Sequence, residues 1–454
     1  MASDLLSIGA SGAQAARVAL DVTAQNISNA SSEGYVRRSV RLAEVSSSGG
    51  IGTIGDVSLS GVRVDRVVRN ADQFRQAEVR RTGADAARAD AEVAGLENIE
   101  SAVDQSGVYD AMVRFQGSLQ QLVGDPTSTS LRANVIEDAR TMVGTFNIAS
   151  TALTSAGQTL QFEATDGVNQ VNTLAQELAR VNLRLSRAAD ATSDQTALLD
   201  QRDSLLQQIS AYSDVNAQIN SVDGTVTVRI GGSSGEKLLD GGSAYALSMA
   251  VDPTAGTLSF TIAMPTGGTA PVSATGGSLA GKAQALAKLD DVRSRLNGLA
   301  DSLMSTVNGA QTAGADLNGV AGTPLFSGLG AGGMTLALSN GAGIATAPAS
   351  ALGTPGSRDA GNLNNLRQAL ATSNPTGGMD ALLFDISGTV AGRKVTREAL
   401  ATIAGSARVS LAAQAGVDLD NEAANLIRYQ QAFQASGRVM QTAKDIFDTL
   451  VAIR

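Results

Sequence analysis

The sequence predicts a mainly α fold with an inserted β-rich domain, in which paired N- and C-terminal coiled-coil-like helices adjoin a central elongated helical bundle and a small outer β domain. Three observations support this. Both ends of the 454-residue chain carry apolar residues at a spacing of seven, as coiled-coil seams do. Residues 214–277 alternate apolar with polar residues, as strands do. Aromatic residues make up only 3% of the chain, with no Trp, which suits slender bundles.

The first predicted element is an amphipathic helix over residues 3–30, with Ser3 at its N-cap. Its two seams consist of Leu6, Ala13, Leu20 and Ile27, and of Gly9, Ala16, Thr23 and Ala30. A narrow seam that includes so many small residues is expected of a helix that packs closely on another helix.

The middle of the chain predicts a bundle interrupted by extended segments. Residues 31–70 are rich in Ser and Gly and contain short alternating runs, so we expect strands and loops there. Helical patterns cover residues 74–124, 130–189, 195–212 and 279–312. Long helices joined by short loops favour an antiparallel bundle.

The predicted β-rich insertion has two clear alternating runs. Val226, Val228 and Ile230 form one apolar face, and Leu258, Phe260 and Ile262 form another. Asp223-Gly224 is a strong hairpin-turn signal before the first run. A Gly-rich irregular stretch over residues 313–358 comes after the next helix, and shorter helices follow it.

The final helix, over residues 418–452, gives the strongest local signal. One seam contains Leu419, Leu426, Phe433, Met440 and Phe447, and the other contains Glu422, Tyr429, Ser436, Ala443 and Leu450. Five heptads indicate a coiled-coil-like seam, and an ordinary helical core is the alternative explanation. Because a lone helix is marginal in water, each terminal helix needs the other one or a neighbouring subunit.

Missing residue types exclude several kinds of chemistry. The chain has no His and no Cys, which removes Ser-His-Asp and Cys-His catalysis, structural zinc sites and iron–sulfur clusters. The net charge of −9 argues against nucleic-acid binding. Residues 50–55 and 328–333 match G-x-G-x-x-G but lack the strand-to-helix context of a nucleotide site. We predict no catalytic residues, no cofactor and no metal.

No signal peptide and no membrane span are apparent in the sequence. Residues 1–30 lack a basic segment before an apolar core, and no run of 18 apolar residues occurs anywhere. By these criteria alone the protein would be placed in the cytoplasm, unless its export uses an uncleaved signal.

Three groups of residues carry a family resemblance. Asn26-Ile27-Ser28-Asn29 and Gly34-Tyr35 follow the first helix, and residues 198–203 read Leu-Leu-Asp-Gln-Arg-Asp before the β-rich insertion. The third group is residues 422–435, which include Arg428, Tyr429 and Phe433. Over essentially the whole chain the sequence resembles the hook-associated protein 1 family of the flagellar rod, hook and hook-associated axial proteins.

The resemblance implies a structural subunit of the bacterial flagellum that forms a ring of copies at the hook–filament junction and is not an enzyme. Residues 1–35 and 415–454 would line the inner tube, residues 36–213 and 278–414 would form the bundle, and residues 214–277 would form the outer domain. The implied partners are copies of the chain, hook protein, the second junction protein on the filament side (hook-associated protein 3) and a cytoplasmic export chaperone at the C-terminal region. Nucleic acid and membrane are not expected partners. The protein would be extracellular, exported by the flagellar type III apparatus without a cleaved signal peptide.

We expect the interface between subunits and terminal helices to use residues from both ends of the chain. They are Leu6, Ala13, Leu20, Asn26, Ile27, Asn29, Gly34, Tyr35, Leu419, Leu426, Arg428, Tyr429, Phe433, Met440 and Phe447. We also expect residues 1–30 and 418–454 to be poorly ordered in the isolated chain and to fold on assembly.

Three alternatives remain. Another axial subunit, from the hook or the distal rod, would share the N-terminal motif, but residues 428–433 and the chain length favour the junction subunit. A secreted flagellar protease would need a metal-binding His motif, and the chain has no His. An adhesin or immune target built on the β-rich domain could coexist with the junction role.

Overall fold

The computed structural model describes residues 2–32, 34–47, 58–188 and 193–452. Helices make up most of these residues, and two small sheets are inserted between the fifth and the sixth helix. The predicted mainly α class with a β-rich insertion is therefore confirmed.

The described residues form ten α-helices, of which the seventh is a single turn. They are α1 (Ala2–Ser28), α2 (Gln73–Asp104), α3 (Val108–Gly124), α4 (Thr129–Leu185), α5 (Ser193–Tyr212), α6 (Gly277–Thr312), α7 (Gly330–Gly333), α8 (Gly361–Ser373), α9 (Pro375–Ala415) and α10 (Leu419–Ala452).

The strands in the described part of the chain pair only in antiparallel fashion. They are β1 (Arg38–Ser47), β2 (Ser58–Arg69), β3 (Val215–Ile219), β4 (Val226–Ile230), β5 (Glu236–Asp240), β6 (Ser243–Ala244), β7 (Leu247–Val251), β8 (Leu258–Ala263), β9 (Thr269–Val272), β10 (Gly314–Ala315), β11 (Phe326–Ser327), β12 (Thr335–Leu336) and β13 (Ala347–Pro348). β1 pairs with β2, β10 with β13 and β11 with β12, while β3-β4-β5-β6 and β7-β8-β9 form the two inserted sheets.

The central bundle consists of α2, α3, α4, α6, α8 and α9 around one apolar core. Phe115 of α3 lies in this core with its ring edge-to-face against Phe326, at a centroid separation of 5.9 Å. The sequence pattern over residues 74–124 is continuous, but the structure divides it into α2 and α3. Gly107 separates them with a φ of 71°, a left-handed conformation that glycine adopts without strain.

A second core joins the end of α4 and the helix α5 to the two inserted sheets. Asn182 of α4 anchors this insertion by donating hydrogen bonds to the carbonyl oxygens of Val226 (2.7 Å) and Gly241 (2.8 Å). Its side-chain oxygen accepts a third bond from the Val226 amide. The predicted turn at Asp223-Gly224 lies between β3 and β4, where Asp223 accepts a hydrogen bond from the Thr225 amide.

The two terminal helices lie side by side, and the β1–β2 hairpin packs against α1. Gly61 of β2 has a φ of 103°, and a Cβ there would lie 2.2 Å from Ser11 Oγ of α1. α9 carries the chain from the bundle back to these helices, where the Arg37 amide donates a hydrogen bond to the Ala415 carbonyl oxygen (2.9 Å).

Candidate assembly interface

Glycines on α1 bring it into close contact with α10. A Cβ on Gly9 would lie 2.7 Å from Met440 Cγ and 3.2 Å from the Ser436 carbonyl oxygen. A Cβ on Gly12 would lie 2.8 Å from Ser436 Oγ. Because real Cβ contacts are longer than these, the helices approach this closely only where α1 has no side chain.

Most of the buried residues of α1 are small. Its buried residues are Gly9, Ala13, Ala15, Ala16, Ala19, Val22, Thr23 and Asn26. Of the larger residues that the sequence pattern assigned to the interface, Leu20 and Ile27 are half-buried, and Leu6 is 48% exposed. The chain's own packing thus covers the small-residue seam of α1 more completely than the seam of Leu and Ile.

α10 buries very little of its surface. Among its described side chains only Glu422 and Ala443 are buried, while Leu426, Tyr429 and Met440 are half-buried. Its exposed large apolar residues are Leu419, Ile427, Phe433, Val439, Ile446, Phe447 and Val451. Four of them, Leu419, Phe433, Phe447 and Val451, lie on one side of the helix at 3.6 residues per turn and are called the apolar face of α10 below. The predicted interface residues Leu419, Phe433 and Phe447 belong to this face, and Arg428 is exposed with its guanidinium 5.1 Å from the centre of the Tyr429 ring.

An open apolar space lies beside the contact between the two helices. A cavity of about 800 Å³ is lined by Leu6 of α1 and by residues of α10 that include Met440, Ala443 and Phe447. Three of the predicted interface residues therefore surround a gap that neither terminal helix fills. Such a gap has room for apolar side chains from another element.

A buried amide ties the end of α1 to the start of α10. The Asn26 side-chain nitrogen donates to the Arg38 carbonyl oxygen (2.8 Å) and to Glu422 Oε2 (3.2 Å). Its side-chain oxygen accepts from the Arg38 amide (3.0 Å) and from the Tyr35 hydroxyl (2.9 Å). All four hydrogen-bonding positions of the amide are used, so Asn26 fixes three segments at once.

Glu422 supplies the carboxylate at this point. Its Oε1 accepts a hydrogen bond of 2.6 Å from Arg37 Nε, and its side chain is almost entirely buried. The other predicted residues nearby have local roles. Asn29 donates to the Gln25 carbonyl oxygen at the end of α1, and Gly34 makes an exposed left-handed turn with a φ of 77°.

Two aspartates of α5 connect this cluster to the bundle. Asp200 accepts from Arg38 Nη2 (2.8 Å) and from Arg69 Nε (2.9 Å). Asp203 accepts from Arg69 Nη2 (2.9 Å) and from Arg202 Nη2 (2.6 Å). The polar junction, as we call it below, consists of Asn26, Tyr35, Arg37, Arg38, Arg69, Asp200, Arg202, Asp203 and Glu422.

Charge–charge contacts decide the protonation states in the polar junction. Burial by itself would raise the pKa of Asp203, but the guanidinium groups of Arg202 and Arg69 outweigh burial and hold that pKa below its ordinary value. Burial raises the pKa of the Tyr35 hydroxyl, although Arg38 acts in the opposite direction. Asp203 is therefore charged and Tyr35 protonated near neutral pH, as their hydrogen bonds require.

The helical periodicity alone did not lead to the polar junction. Only the family resemblance points to Asn26 and Tyr35; it also includes Asp200, Arg202 and Asp203 but implies no role for them. One signal was present in the pattern, because Glu422 is a charged residue at a seam position of the last helix. A charge at such a position indicates a buried partner of opposite sign.

The structure offers little to support metal or nucleotide binding. Within the described residues there is no group of three or more side chains suited to hold a metal ion. Residues 50–55 lie outside the described part of the chain. Residues 328–333 end in the one-turn helix α7, whose first amides at Gly330 and Ala331 donate to Asp301 and Asn297 of α6. These amides are unavailable to a phosphate. No described helix is long and apolar enough to cross a membrane.

Comparison with known proteins identifies the family. A family model described as the flagellar hook-associated protein FlgK helical domain matches residues 93–326, more than half of the chain. The chain belongs to the family of flagellar hook-associated protein FlgK. Models for the flagella basal body rod protein and for the flagellar basal body rod FlgEFG protein C-terminal match residues 6–35 and 412–453. The FlgK family resemblance predicted from the sequence is confirmed.

Relatives of the FlgK family show the same similarity. Flagellar hook-associated protein 1 of Escherichia coli (strain K12) is 26% identical over 560 aligned residues, which cover 100% of both chains. The protein of that name from Salmonella typhimurium is 27% identical over 72% of this chain and 59% of its own length. The one from Bacillus subtilis (strain 168) is 28% identical over 48% of this chain and 46% of its own length.

A solved structure of the flagellar hook junction protein FlgK from Burkholderia pseudomallei is also similar. It shares 24% identity over 55% of this chain and 46% of that chain, with a TM-score of 0.46. Taken with the family match, the relatives identify the chain as a structural subunit of the bacterial flagellum at the hook–filament junction. Members of this family assemble in the flagellum together with hook components.

Proposed function

We propose that copies of the chain form a ring in which the apolar face of α10 packs against the terminal helices of neighbouring copies. The exposure of this face is the observation that carries the proposal, since Phe433 is 44% and Phe447 58% exposed. Complete burial of one such side chain from full exposure contributes about 1.5–3 kcal/mol, so burial of the exposed half of Phe433 or Phe447 contributes about half of that. Four such side chains on one side of a helix favour association, and large exposed apolar patches commonly mark protein interfaces.

The division of the chain predicted from its sequence fits this role. Residues 1–35 and 415–454 would line the inner tube, residues 36–213 and 278–414 would surround them, and residues 214–277 would lie outermost. The polar junction supports the division, because it fixes the terminal helices to α5 and to the β1–β2 hairpin at one place. Neighbouring copies could then pack their α10 faces without loss of contact to their own bundles.

The partners at the two ends of the ring would be other axial proteins. Hook protein would bind on one side and the second junction protein, hook-associated protein 3, on the other. A cytoplasmic export chaperone would cover the C-terminal region before export, because the apolar face of α10 would otherwise promote aggregation. Export would proceed without a cleaved signal peptide, and the assembled ring would be extracellular.

The proposed role is structural and not catalytic. The chain contains no His and no Cys, and the buried charges of the polar junction pair with one another. An adhesive or immune role of residues 214–277 would be compatible with the ring. That role rests on no particular residue of the insertion.

Immunogold labelling of intact flagella with an antibody to this chain tests the junction ring. We expect a narrow band at the hook–filament boundary. Labelling along the whole hook would instead support a hook subunit, labelling below the hook a distal rod subunit, and no label on the flagellum would contradict any axial role.

Substitutions in the seam of α10 test which surface forms the ring. Leu426→Asp and Phe433→Asp should each abolish filament growth, because a buried interface would receive an unpaired charge. Gln431→Asp is the matched control, since Gln431 is exposed on the opposite side of α10 and should leave growth unchanged. Normal filaments on cells that carry only the Leu426→Asp or Phe433→Asp protein would show that this seam is not an interface.

A further inference from the structure

Arg80 of α2 is a buried cation whose charge is acted on by Asp203 only at a distance. Its exposed fraction is 7%, yet it makes no hydrogen bond or ion pair with the described part of the chain. Two other buried arginines are fully engaged. Arg132 donates to three carbonyl oxygens and to Thr346 Oγ1, and Arg202 binds Asp203 and the Gly224 carbonyl oxygen. An unpaired buried charge is costly, so Arg80 needs an explanation.

Arg80 lines a cleft where the terminal helices adjoin the bundle. The cleft has a volume of about 600 Å³, and its walls include Gly34 and Tyr35 after α1, Gln76 of α2 and Ala412 near the end of α9. Gln76 donates from its side-chain nitrogen to Asp203, but its Oε1 is buried without a donor. The Arg80 guanidinium therefore opens onto the cleft without a partner among the described residues, and the same wall holds the buried, unpaired acceptor of Gln76.

The charges around the cleft favour an anionic occupant. The polar junction already pairs its arginines with its carboxylates. The ion pairs join Arg37, Arg38, Arg69 and Arg202 to Asp200, Asp203 and Glu422. Asp203, the carboxylate whose charge acts on Arg80, already accepts from Arg69, Arg202 and Gln76. Arg80 thus adds positive charge where the carboxylates are occupied, and Arg408 on the cleft wall adds more.

We propose that this cleft receives an Asp or Glu side chain from a neighbouring copy of the chain, with the carboxylate bound by the Arg80 guanidinium. Arginine binds carboxylates with two parallel hydrogen bonds. The chain has 43 acidic against 34 basic residues, so its own surface is rich in the required group. This inference rests on the proposed ring of copies.

Occupation of the cleft would fix the angle between the terminal helices and the bundle. The incoming segment would contact the link after α1 and the end of α9 on one side, and α2 and α5 on the other. Each copy that joins the ring would then set the orientation of the copy it binds. The unpaired Arg80 is the site at which assembly is sensed.

The substitution Arg80→Met in the full chain separates assembly from folding. Because it removes a buried charge without an ion pair and keeps the apolar stem of the side chain, the thermal unfolding midpoint of the isolated protein should stay the same or rise. The fraction of hooks that carry a filament should fall at least tenfold in cells that produce only this variant. Arg80→Lys, which keeps the charge, should restore part of that fraction.

Arg202→Met is the matched control, because Arg202 is a buried arginine with partners, and its loss should lower the unfolding midpoint. If Arg80→Met lowers the unfolding midpoint as much as Arg202→Met does, Arg80 stabilises the single chain and the proposed role in assembly is wrong. Wild-type filament counts with Arg80→Met would equally overturn the proposal.

Photo-crosslinking in intact flagella identifies the occupant. A photoreactive amino acid at Ala412, an exposed residue on the cleft wall, should crosslink to a second copy of the chain. A crosslink to a different protein, or none, would overturn the proposal. The same probe at Phe433 tests the ring. If Phe433 crosslinks to another copy and Ala412 does not, the ring stands and the proposed occupant of the cleft is wrong. If neither position crosslinks to another copy, the ring itself is wrong as well.

Discussion

The helices α6 and α10 are nearly equal in length but differ in what they bury. α6 has 36 residues and buries 14 of them. α10 has 34 residues, and only Glu422 and Ala443 are buried among its described side chains. Yet α10 carries seven large apolar residues that remain exposed.

This difference shows that the two regions have different requirements. The bundle closes its core with contacts from α2, α3, α4, α8 and α9, so its stability is a property of the single chain. The terminal pair is held by small residues along one seam and by the polar junction at its base. Its remaining apolar surface suits burial by other copies, as the proposed ring requires.

The largest expected effect is on the bundle core. Phe115 is fully buried, so Phe115→Ala should lower the free energy of unfolding by about 4 kcal/mol. Phe433→Ala on the apolar face of α10 should lower it by less than about 1 kcal/mol, because little buried surface is lost. Urea denaturation of the two isolated proteins measures both values. Equal losses would remove the contrast between the regions.

The next effect concerns the connection between the regions. Asp203→Asn should lower the free energy of unfolding by about 3 kcal/mol, because it leaves the buried Arg202 without a counter-charge and Arg69 with Asp200 alone. Asp252→Asn is the control, since Asp252 is an exposed turn residue that bonds only backbone amides. If the two variants had the same urea midpoint, the buried ion pairs that connect the terminal helices to the bundle would contribute nothing to stability.

The contact between the terminal helices should be sensitive to added volume. Gly9→Val places methyl groups against Met440 and the Ser436 backbone, and we expect a cost of about 2 kcal/mol in the packing of α1 on α10. Gly83→Val is a control on α2, where a Cβ would meet no atom within 4 Å. Hydrogen exchange of the α1 amides should rise with Gly9→Val alone; unchanged exchange would mean that the helices are not in close contact.

The smallest effect is on the pH dependence of stability. The folded-state pKa of Asp203 lies below its ordinary value of 3.8, so its charged form stabilises the fold above that pH. This stabilisation is lost as the pH falls through the folded-state pKa. The stability gap between wild type and Asp203→Asn should therefore be constant from about pH 5 to pH 8 and shrink below about pH 4. A gap that widens in acid would contradict the assigned charge state.

Much of the fold was predictable because it depends on local pattern. The ends of α5, α6 and α10 follow the apolar periodicity closely, and the turn at Asp223-Gly224 follows from the residues themselves. The break between α2 and α3 was not predicted, because the apolar spacing continues on both sides of Gly107 and only its positive φ divides the helices.

The site was less predictable because it is made by residues distant in sequence. Arg38 and Asp200 are 162 positions apart, and no periodicity relates them. The heptad pattern identified both terminal helices, but it gave no means of deciding which seam faces the other helix and which stays open. Gly9 and Gly12 decide this through their fit against Ser436 and Met440, which only the packed structure shows.

Hydrogen exchange of the isolated chain and of assembled flagella tests the central claim most directly. In the isolated chain, amides of α10 should exchange much faster than those of α6, because few side chains cover α10. In assembled flagella the amides of α10 should become protected to a degree similar to α6. Amides of α10 that are already protected in the isolated chain, or that stay unprotected after assembly, would contradict the claim that neighbouring copies complete the terminal helices.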